Sequence, residues 1–170
     1  KFAPVATGPA SGTLAFASDG GSATLNLTGT GDPVPAPAVS FSPPSLSFPA
    51  QMVGTVSSPQ MVLLGNSGTA NLAIVSVTSG GDFAHSSTCP LSPSTLAPAT
   101  ACDITVTFSP LLAGGCAGAV TVVSNAPGSP HQVTLSGTGT AAPMPVVSVS
   151  PDPVSFPATQ VGGVSAPVQV

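Results

Sequence analysis

The chain has 170 residues, and 4% of them are charged, against about a quarter in an average soluble protein. The chain contains one Lys, no Arg and five acidic residues, and its formal net charge is −4. Because nucleic-acid binding and docking on anionic membranes need clustered Lys or Arg, this composition excludes both. Apolar stretches such as residues 61–64 are far too short to insert into a membrane. The abundant Val, Ser, Thr, Gly and Pro are typical of β-sheet divided by turns.

The sequence repeats itself over long stretches. Residues 26–62 align with residues 134–170 at a shift of 108 positions, and 20 of the 37 aligned residues are identical. Residues 2–18 align with residues 108–124 at a shift of 106 positions. The two-residue difference falls in the turn after residue 18, a place where insertions are tolerated. A repeat of this length predicts tandem structural units.

The repeat divides the chain into five segments. Residues 1–31 are predicted to be the C-terminal part of one repeat, residues 38–139 a complete repeat, and residues 146–170 the N-terminal part of a third. Residues 32–37 and 140–145 are Pro-rich and are predicted to be semi-rigid linkers. We therefore expect the chain to belong to a longer array, or its incomplete repeats to be completed by neighbouring subunits.

Short strand patterns alternate with turn signals inside the complete repeat. In residues 102–108, apolar side chains alternate with Asp and Thr, which is typical of a strand with one buried face. The predicted strands cover residues 39–41, 46–48, 60–65, 72–78, 82–86, 102–108, 118–124 and 132–136. Such a series within about 100 residues fits an all-β, immunoglobulin-like sandwich. Since the sequence has no Trp or Tyr, we expect a core of Phe and Val.

One series of motifs resembles a known class of repeats. It comprises Phe83, Cys89, Leu96-Ala97-Pro98, Cys102 to Pro110, Gly114, Val120-Thr121-Val122, Ser124-Asn125 and Val133 to Gly139. The series resembles the Hydin-type repeats, which are ASH or major-sperm-protein-like immunoglobulin domains of bacterial choice-of-anchor D exported proteins. The resemblance extends over the complete repeat and both partial ones. It implies tandem extracellular spacers or adhesive modules without a catalytic centre.

The sequence contains three cysteines. The resemblance implies a disulfide between Cys89 and Cys102, which would stabilise the domain by about 3 kcal/mol and indicate an oxidising compartment. The alternative is a pair of buried free thiols. Cys116 aligns with Ala10, so we expect a small residue in a Gly-rich turn, with an intermolecular crosslink as the alternative role.

Residue types that serve catalysis or metal binding are few. His85, Cys89 and Cys102 form only a fragment of a zinc site, and His85 is instead expected at a strand edge. His85 and His131 are the possible general bases, and no Gly-x-Ser-x-Gly motif accompanies them. Asp82 follows two glycines and is expected to form a turn. We therefore predict no enzyme activity, no metal and no cofactor.

These patterns favour a structural role outside the cell. We expect a non-catalytic repeat of a long exported bacterial protein that forms a filament, stalk or surface layer. The alternative is an adhesin or binding module whose loops recognise a glycan or a protein. Because few charges keep copies apart at exposed strand edges, the sequence predicts self-association, lateral or end-to-end, with little salt dependence.

Overall fold

A computed structural model describes residues 1–148, 150 and 153–169, and the regular elements within these residues are all β-strands. Two units are present, residues 1–140 and residues 141–170. The strands of the first unit are β1 (Gly8–Ser18), β2 (Gly21–Gly31), β3 (Val39–Ser42), β4 (Ser45–Ser47), β5 (Gln51–Met52), β6 (Gln60–Asn66), β7 (Ile74–Ser79), β8 (Phe83–Ser87), β9 (Ala101–Phe108), β10 (Gly114–Ser124) and β11 (His131–Thr140). The second unit has no strand among its described residues.

Strands β3 to β11 form two sheets. One sheet has the order β4-β11-β10-β7, and β5 also pairs with β11. The other sheet has the order β3-β6-β9-β8. Strands β4 and β5 run parallel to β11, whereas the remaining strand pairs of these sheets are antiparallel. The predicted strands of the complete repeat are thus present, and β5 is an additional one.

The two sheets pack face to face around an apolar core. In β9, Cys102, Ile104, Val106 and Phe108 are buried and the residues between them are partly exposed, which confirms the predicted alternation. The core also contains Leu46, Phe48, Val62, Leu64, Leu72, Ile74, Phe83, Cys89, Leu96, Val120, Val122, Ala126, Val133 and Leu135. Because these residues come from both sheets, the complete repeat is a β-sandwich with an Ig-like arrangement.

Three phenylalanine rings contact one another inside this core. The ring centroids of Phe83 and Phe108 are 4.9 Å apart, and Phe48 lies 5.7 Å from the first and 5.9 Å from the second. These separations are typical of favourable aromatic pairs. A Cβ atom on Gly118 would lie 2.7 Å from the Phe83 ring, and one on Gly137 would lie 2.7 Å from the Phe108 ring. The rings therefore pack directly against the backbone of β10 and β11.

A buried asparagine closes the loop that follows β6. Asn66 is 1% exposed, and its side-chain oxygen accepts hydrogen bonds from the backbone N–H groups of Ala38 (3.3 Å) and Gly68 (3.1 Å). Its side-chain nitrogen donates to the carbonyl oxygens of Ala70 (2.8 Å) and Leu96 (3.0 Å). The side-chain oxygen accepts two hydrogen bonds and the side-chain nitrogen donates two, so burial of this polar group carries little energetic cost.

The end of the first Pro-rich segment is attached to the same loop. The backbone N–H of Ala36 donates to Thr69 Oγ1 (3.2 Å), and the Ala36 carbonyl accepts from the N–H groups of Thr69 (2.9 Å) and Ala70 (3.3 Å). The Ala38 carbonyl accepts from the N–H of Ser67 (2.9 Å). Residues 36–38 are therefore held by backbone hydrogen bonds to the sandwich.

Candidate functional site

The N-terminal strands form a hairpin that has the same register as β10 and β11. Strands β1 and β2 pair only with each other among the described residues, and residues 19–20 form the turn between them. Gly8 pairs with Gly31, as Gly114 pairs with Gly139 at the aligned positions. Both outer edges of the β1–β2 hairpin therefore carry backbone groups that no strand within the described part of the chain uses.

The two hairpins also share a contact between a glycine and a phenylalanine. A Cβ atom on Gly29 would lie 2.7 Å from the Phe2 ring, and one on Gly137 would lie 2.7 Å from the Phe108 ring. Phe2 is nevertheless 53% exposed, whereas Phe108 is fully buried. The local packing is the same, and the difference is that the second sheet covers Phe108.

The β1–β2 hairpin has an uncovered apolar face. Leu14, Phe16, Leu25 and Leu27 are all exposed, and at the aligned positions of the complete repeat the side chains lie in the core or at its margin. An open groove of about 350 Å³ lies against this hairpin and is lined by Lys1, Phe2, Ala10, Ser11, Gly12, Leu27 and Thr28. The name open hairpin surface is used here for the free edge of β2 together with the exposed side chains of Phe2, Leu14, Phe16, Leu25 and Leu27. This surface is the candidate interaction site of the chain.

The disulfide implied by the resemblance is present in the structure. Cys89 and Cys102 are bonded, and their Cα atoms are 5.0 Å apart. Both residues are buried, with Cys102 in β9 and Cys89 in the segment after β8. The bond connects the loop between β8 and β9 to the core. A disulfide is consistent with an extracellular protein.

Cys116 occupies a strand, so the predicted Gly-rich turn is wrong. It lies in β10 and pairs with Gly137 of β11. The glycines at positions 114 and 115 are included in this strand because β11 extends as far as residue 140 and offers them a partner. Pairing with a neighbouring strand thus overrides the local preference of glycine for turns.

The Cys116 thiol is held next to a carboxylate. Its Sγ atom lies 3.4 Å from Oδ2 of Asp82, to which it donates, and 3.8 Å from the Gly114 carbonyl oxygen. Asp82 Oδ2 also accepts a hydrogen bond from the Leu111 N–H (3.3 Å). Desolvation, then the hydrogen bond and the negative charge of Asp82, raise the pKa of the Cys116 thiol. The thiol therefore remains protonated at neutral pH.

We expect Cys116 to react slowly with iodoacetamide, because the thiolate is the reactive form. Asp82→Asn should lower the thiol pKa and accelerate alkylation several-fold at pH 8, since the negative charge that raises the pKa is removed. Asp103→Asn removes one negative charge from β9 and serves as the matched control. The rate of alkylation is measured as a function of pH. If Cys116 reacts no faster in Asp82→Asn than in Asp103→Asn, Asp82 does not raise the pKa of the thiol.

The two histidines lie in different sheets. His85 is in the edge strand β8, as predicted. Its Nδ1 atom is hydrogen-bonded to Ser79 Oγ (2.9 Å), and the Ser79 hydroxyl donates to the Phe83 carbonyl (3.0 Å). His131 begins β11 and pairs with Val122. Within the described ranges, no three His, Cys, Asp or Glu side chains are grouped closely enough to hold a metal ion. The prediction of no metal and no cofactor stays a prediction.

The part of the chain that the structure describes contains no helix of the length and hydropathy needed to cross a membrane.

The comparisons with known proteins concern the fold alone. No protein-family model matches the sequence, and no curated protein matches it. Among solved structures, the chain is similar to an ASH/PapD-like domain of human CEP192, at 22% identity and a TM-score of 0.46 over 64% of this chain and 89% of that one. It is also similar to a C. elegans major-sperm-protein family member, WR4, at 9% identity and a TM-score of 0.39 over 60% of this chain and 97% of that one. Both have Ig-like folds.

A further similar structure belongs to a much larger protein. The secreted serine protease VesC from Vibrio cholerae matches at 13% identity and a TM-score of 0.45, and the match covers 64% of this chain but 24% of VesC. Values this low carry no argument about activity. The all-β, Ig-like description of this chain rests on its own strand pairing, and no sequence-family match supports the choice-of-anchor D assignment.

Proposed function

We propose that this chain is a non-catalytic structural repeat of a longer extracellular bacterial protein. In this proposal, tandem Ig-like domains associate with one another and build a filament, stalk or surface layer. The assignment to Hydin-type repeats of choice-of-anchor D exported proteins belongs to the same proposal and rests on the motifs of residues 83–139.

The observation that carries this proposal is the second occurrence of one hairpin. The β1–β2 hairpin has the strand register and the glycine–phenylalanine contact of β10–β11, at positions that the sequence repeat aligns. A Pro-rich segment of a few residues leads from β2 into the next sandwich, and its end is hydrogen-bonded to that sandwich at residues 36–38. A chain built this way would place successive domains in line at short, restricted spacings.

Composition and covalent structure also support an exported structural protein. The described sandwich contains a disulfide between buried cysteines, which is rare in proteins of reducing compartments. With 4% charged residues, contacts between copies require little desolvation of charge. Domains of this kind can associate through backbone and apolar contacts.

The aromatic side chains support the structural role better than the alternative function, an adhesin that recognises a glycan. All seven aromatic residues are Phe, with no Trp or Tyr. Phe2 and Phe16 of the open hairpin surface are exposed. A ring without a polar group favours apolar contacts, such as those with another protein, over the mixed polar and stacking contacts of a sugar. Specific, competable hits on a glycan array would instead support the adhesin.

Immunogold electron microscopy on cells that produce the protein tests the proposal. Antibodies raised against residues 38–139 should label fibres or a layer outside the cell, with an axial period of about one domain. Brief treatment of intact cells with a protease should remove the label. Gold particles confined to the cell interior would contradict the extracellular structural role, as would two alkylatable thiols at positions 89 and 102 in native, never-reduced protein.

A further inference from the structure

The complete sandwich has four sheet edges of its own. Strands β3 and β8 are the edges of one sheet, and the edges of the other are β7 and the side on which β4 and β5 lie. All of these strands fall within residues 39–87, inside the complete repeat. Whether each edge is protected against pairing with another chain is therefore a property of the complete repeat itself, whatever precedes or follows it.

Three of the four edges carry features that oppose such pairing. Strands β3, β4 and β5 are four, three and two residues long, and Pro43 and Pro44 separate the first two. The start of β7 is covered by the loop after β8, where the Ser92 N–H donates to the Ile74 carbonyl (2.8 Å). The pairing of β7 with β10 also has a register shift. Short strands, Pro, bulges and covering loops are the usual protection of a sheet edge.

Strand β8 lacks these features. Its residues, 83–87, include no Pro and no Asp, Glu, Lys or Arg. Its pairing with β9 runs through all five positions without a register shift. By the same criteria that mark the other edges as protected, β8 is the unprotected edge among the strands that the structure describes.

The backbone of β8 directs three residues outward. The Thr88 N–H donates to the Asp103 carbonyl (2.9 Å) and the Ser109 N–H donates to the Asp82 carbonyl (2.8 Å), so the even-numbered positions face β9. Because antiparallel strands alternate between bonded and non-bonded pairs, positions 83, 85 and 87 direct their N–H and C=O groups away from β9.

These outward groups are nearly free. The Phe83 carbonyl accepts a hydrogen bond from the Ser79 hydroxyl (3.0 Å), which leaves one of its lone pairs unused. No strand within the described ranges pairs with this side of β8, so the N–H groups of Phe83, His85 and Ser87 have no strand partner there. Strand β8 can therefore receive a further strand along its whole length.

We propose that β8 pairs antiparallel with β8 of a second copy of this chain, about a two-fold axis through His85. This inference rests on the proposed function and names the surface, the partner and the register of lateral self-association. The His85 N–H of each copy donates to the His85 carbonyl of the other copy. Phe83 of each copy pairs in the same way with Ser87 of the other. The two four-stranded sheets then form one continuous sheet across the contact.

The partner is a second copy because the outward groups of β8 are complementary to themselves. They lie at a regular two-residue spacing, and the middle residue lies on the axis, so every outward N–H meets an outward carbonyl. A shift of two residues in either direction would leave one outward residue of each copy unpaired. Two-fold contacts between identical surfaces are the commonest way in which copies of a protein associate.

Charge opposes this contact only weakly. In the proposed register Asp82 lies opposite Thr88 of the second copy, so the two Asp82 residues are at opposite ends of the paired strands, roughly 20 Å apart. Asp82 lies two strand spacings, or about 10 Å, from Asp103 of the second copy, which is near the screening length at physiological salt. Added salt should therefore strengthen the association slightly. The attraction comes from backbone hydrogen bonds, as in other cases of strand addition.

Crosslinking between two single-cysteine proteins tests the register. Both are the 170-residue chain with Cys116→Ala, which keeps the disulfide of the sandwich. One carries Ala84→Cys and the other Ser86→Cys, at exposed positions of β8. In the proposed register, position 84 of one copy faces position 86 of the other in a non-hydrogen-bonded pair, with Cα atoms about 4.5 Å apart and within reach of a disulfide. We expect an Ala84→Cys/Ser86→Cys heterodimer on mild oxidation, identified by mass spectrometry of isotopically distinguished chains.

The two homodimers in the same mixture are the matched controls. Positions 84 and 84 of the two copies are diagonal neighbours, roughly 8 Å apart, and so are positions 86 and 86, which is too far for an unstrained disulfide. The heterodimer should therefore exceed its statistical proportion among the dimers. Dimers in statistical proportion, an excess of either homodimer, or no dimer would overturn the proposal. The Cys89–Cys102 peptide pair, measured in the same spectra, shows that the native disulfide has not exchanged.

A proline substitution tests whether the contact uses the backbone. His85→Pro removes the N–H that donates to the second copy, while position 85 makes no hydrogen bond to β9 that could be lost. The heterodimer yield should fall at least about tenfold, because both central hydrogen bonds are lost and the proline rings meet across the axis. His85→Ala keeps the N–H and should leave the yield nearly unchanged. An equal loss in His85→Ala would contradict pairing through the backbone.

Two measurements keep the inference separate from folding and from the proposed function. The urea midpoint of each variant shows whether its sandwich is folded, and the crosslinking ratio decides the register even if His85→Pro does not fold. If the dimers form in statistical proportion while antibodies label extracellular fibres, the β8 contact is wrong and the proposed function stands. If the heterodimer forms in excess while gold particles are confined to the cell interior, the contact stands and the extracellular role is wrong.

Discussion

Replacing Phe108 with Ala is expected to lower the free energy of unfolding by about 3–5 kcal/mol. The Phe108 ring is fully buried and contacts the rings of Phe48 and Phe83, so its removal leaves a cavity between the two sheets. Gly137 lies against the ring and has no side chain that could fill the space. Urea unfolding followed by far-ultraviolet circular dichroism measures the change.

Phe2→Ala is the matched control for this substitution. Phe2 occupies the aligned position of the partial repeat and makes the same contact with a glycine, but it is half-exposed. Its replacement should change the free energy of unfolding of the sandwich by about 0.5 kcal/mol or less, as for most surface substitutions. Equal destabilisation by the two substitutions would show that Phe108 does not contribute through burial between the sheets.

Removing the disulfide is expected to cost about 3 kcal/mol of stability, because the 13-residue separation of Cys89 and Cys102 closes a loop whose freedom returns in the unfolded chain. The double variant Cys89→Ala with Cys102→Ala removes the bond without leaving a buried, reactive thiol. The midpoint of urea unfolding should fall, and the loop between β8 and β9 should exchange its backbone hydrogens faster.

Two controls separate the bond from other effects. Cys116→Ala leaves the disulfide in place and should change the midpoint little. Reduction of the wild-type protein should lower the midpoint about as much as the double variant does. If adding a reducing agent to native protein does not change the midpoint of urea unfolding, the two cysteines are not bonded. Mass spectrometry of the unreduced protein would then show two separate peptides.

Much of the sandwich follows from local patterns. The alternation of residues 102–108 predicts a half-buried strand, and the structure confirms it in β9. The expected core of Phe and Val is found in part, because three Phe and five Val of the buried cluster are joined there by five Leu and two Ile. The number of tandem repeats and the five segment boundaries stay predictions.

Other features depend on contacts between distant residues. Asn66 forms hydrogen bonds with Ala38 and Leu96, which are 28 and 30 positions away. An Asn at a strand end before Ser67-Gly68 is an ordinary turn signal, and that signal gives no indication of burial. The glycines near Cys116 favour a turn, whereas β11 pairs with them as a strand.

The sequence by itself determined the all-β fold class, the alternation of buried and exposed residues in the strands, and the correspondence between positions such as Phe2 and Phe108. Tertiary structure alone decided which of the two rings is buried, because burial requires a second sheet to cover the face on which the ring lies. It likewise decided that β4 and β5 run parallel to β11, since the partner of a strand edge is set by packing across the whole sandwich and not by the residues of the strand.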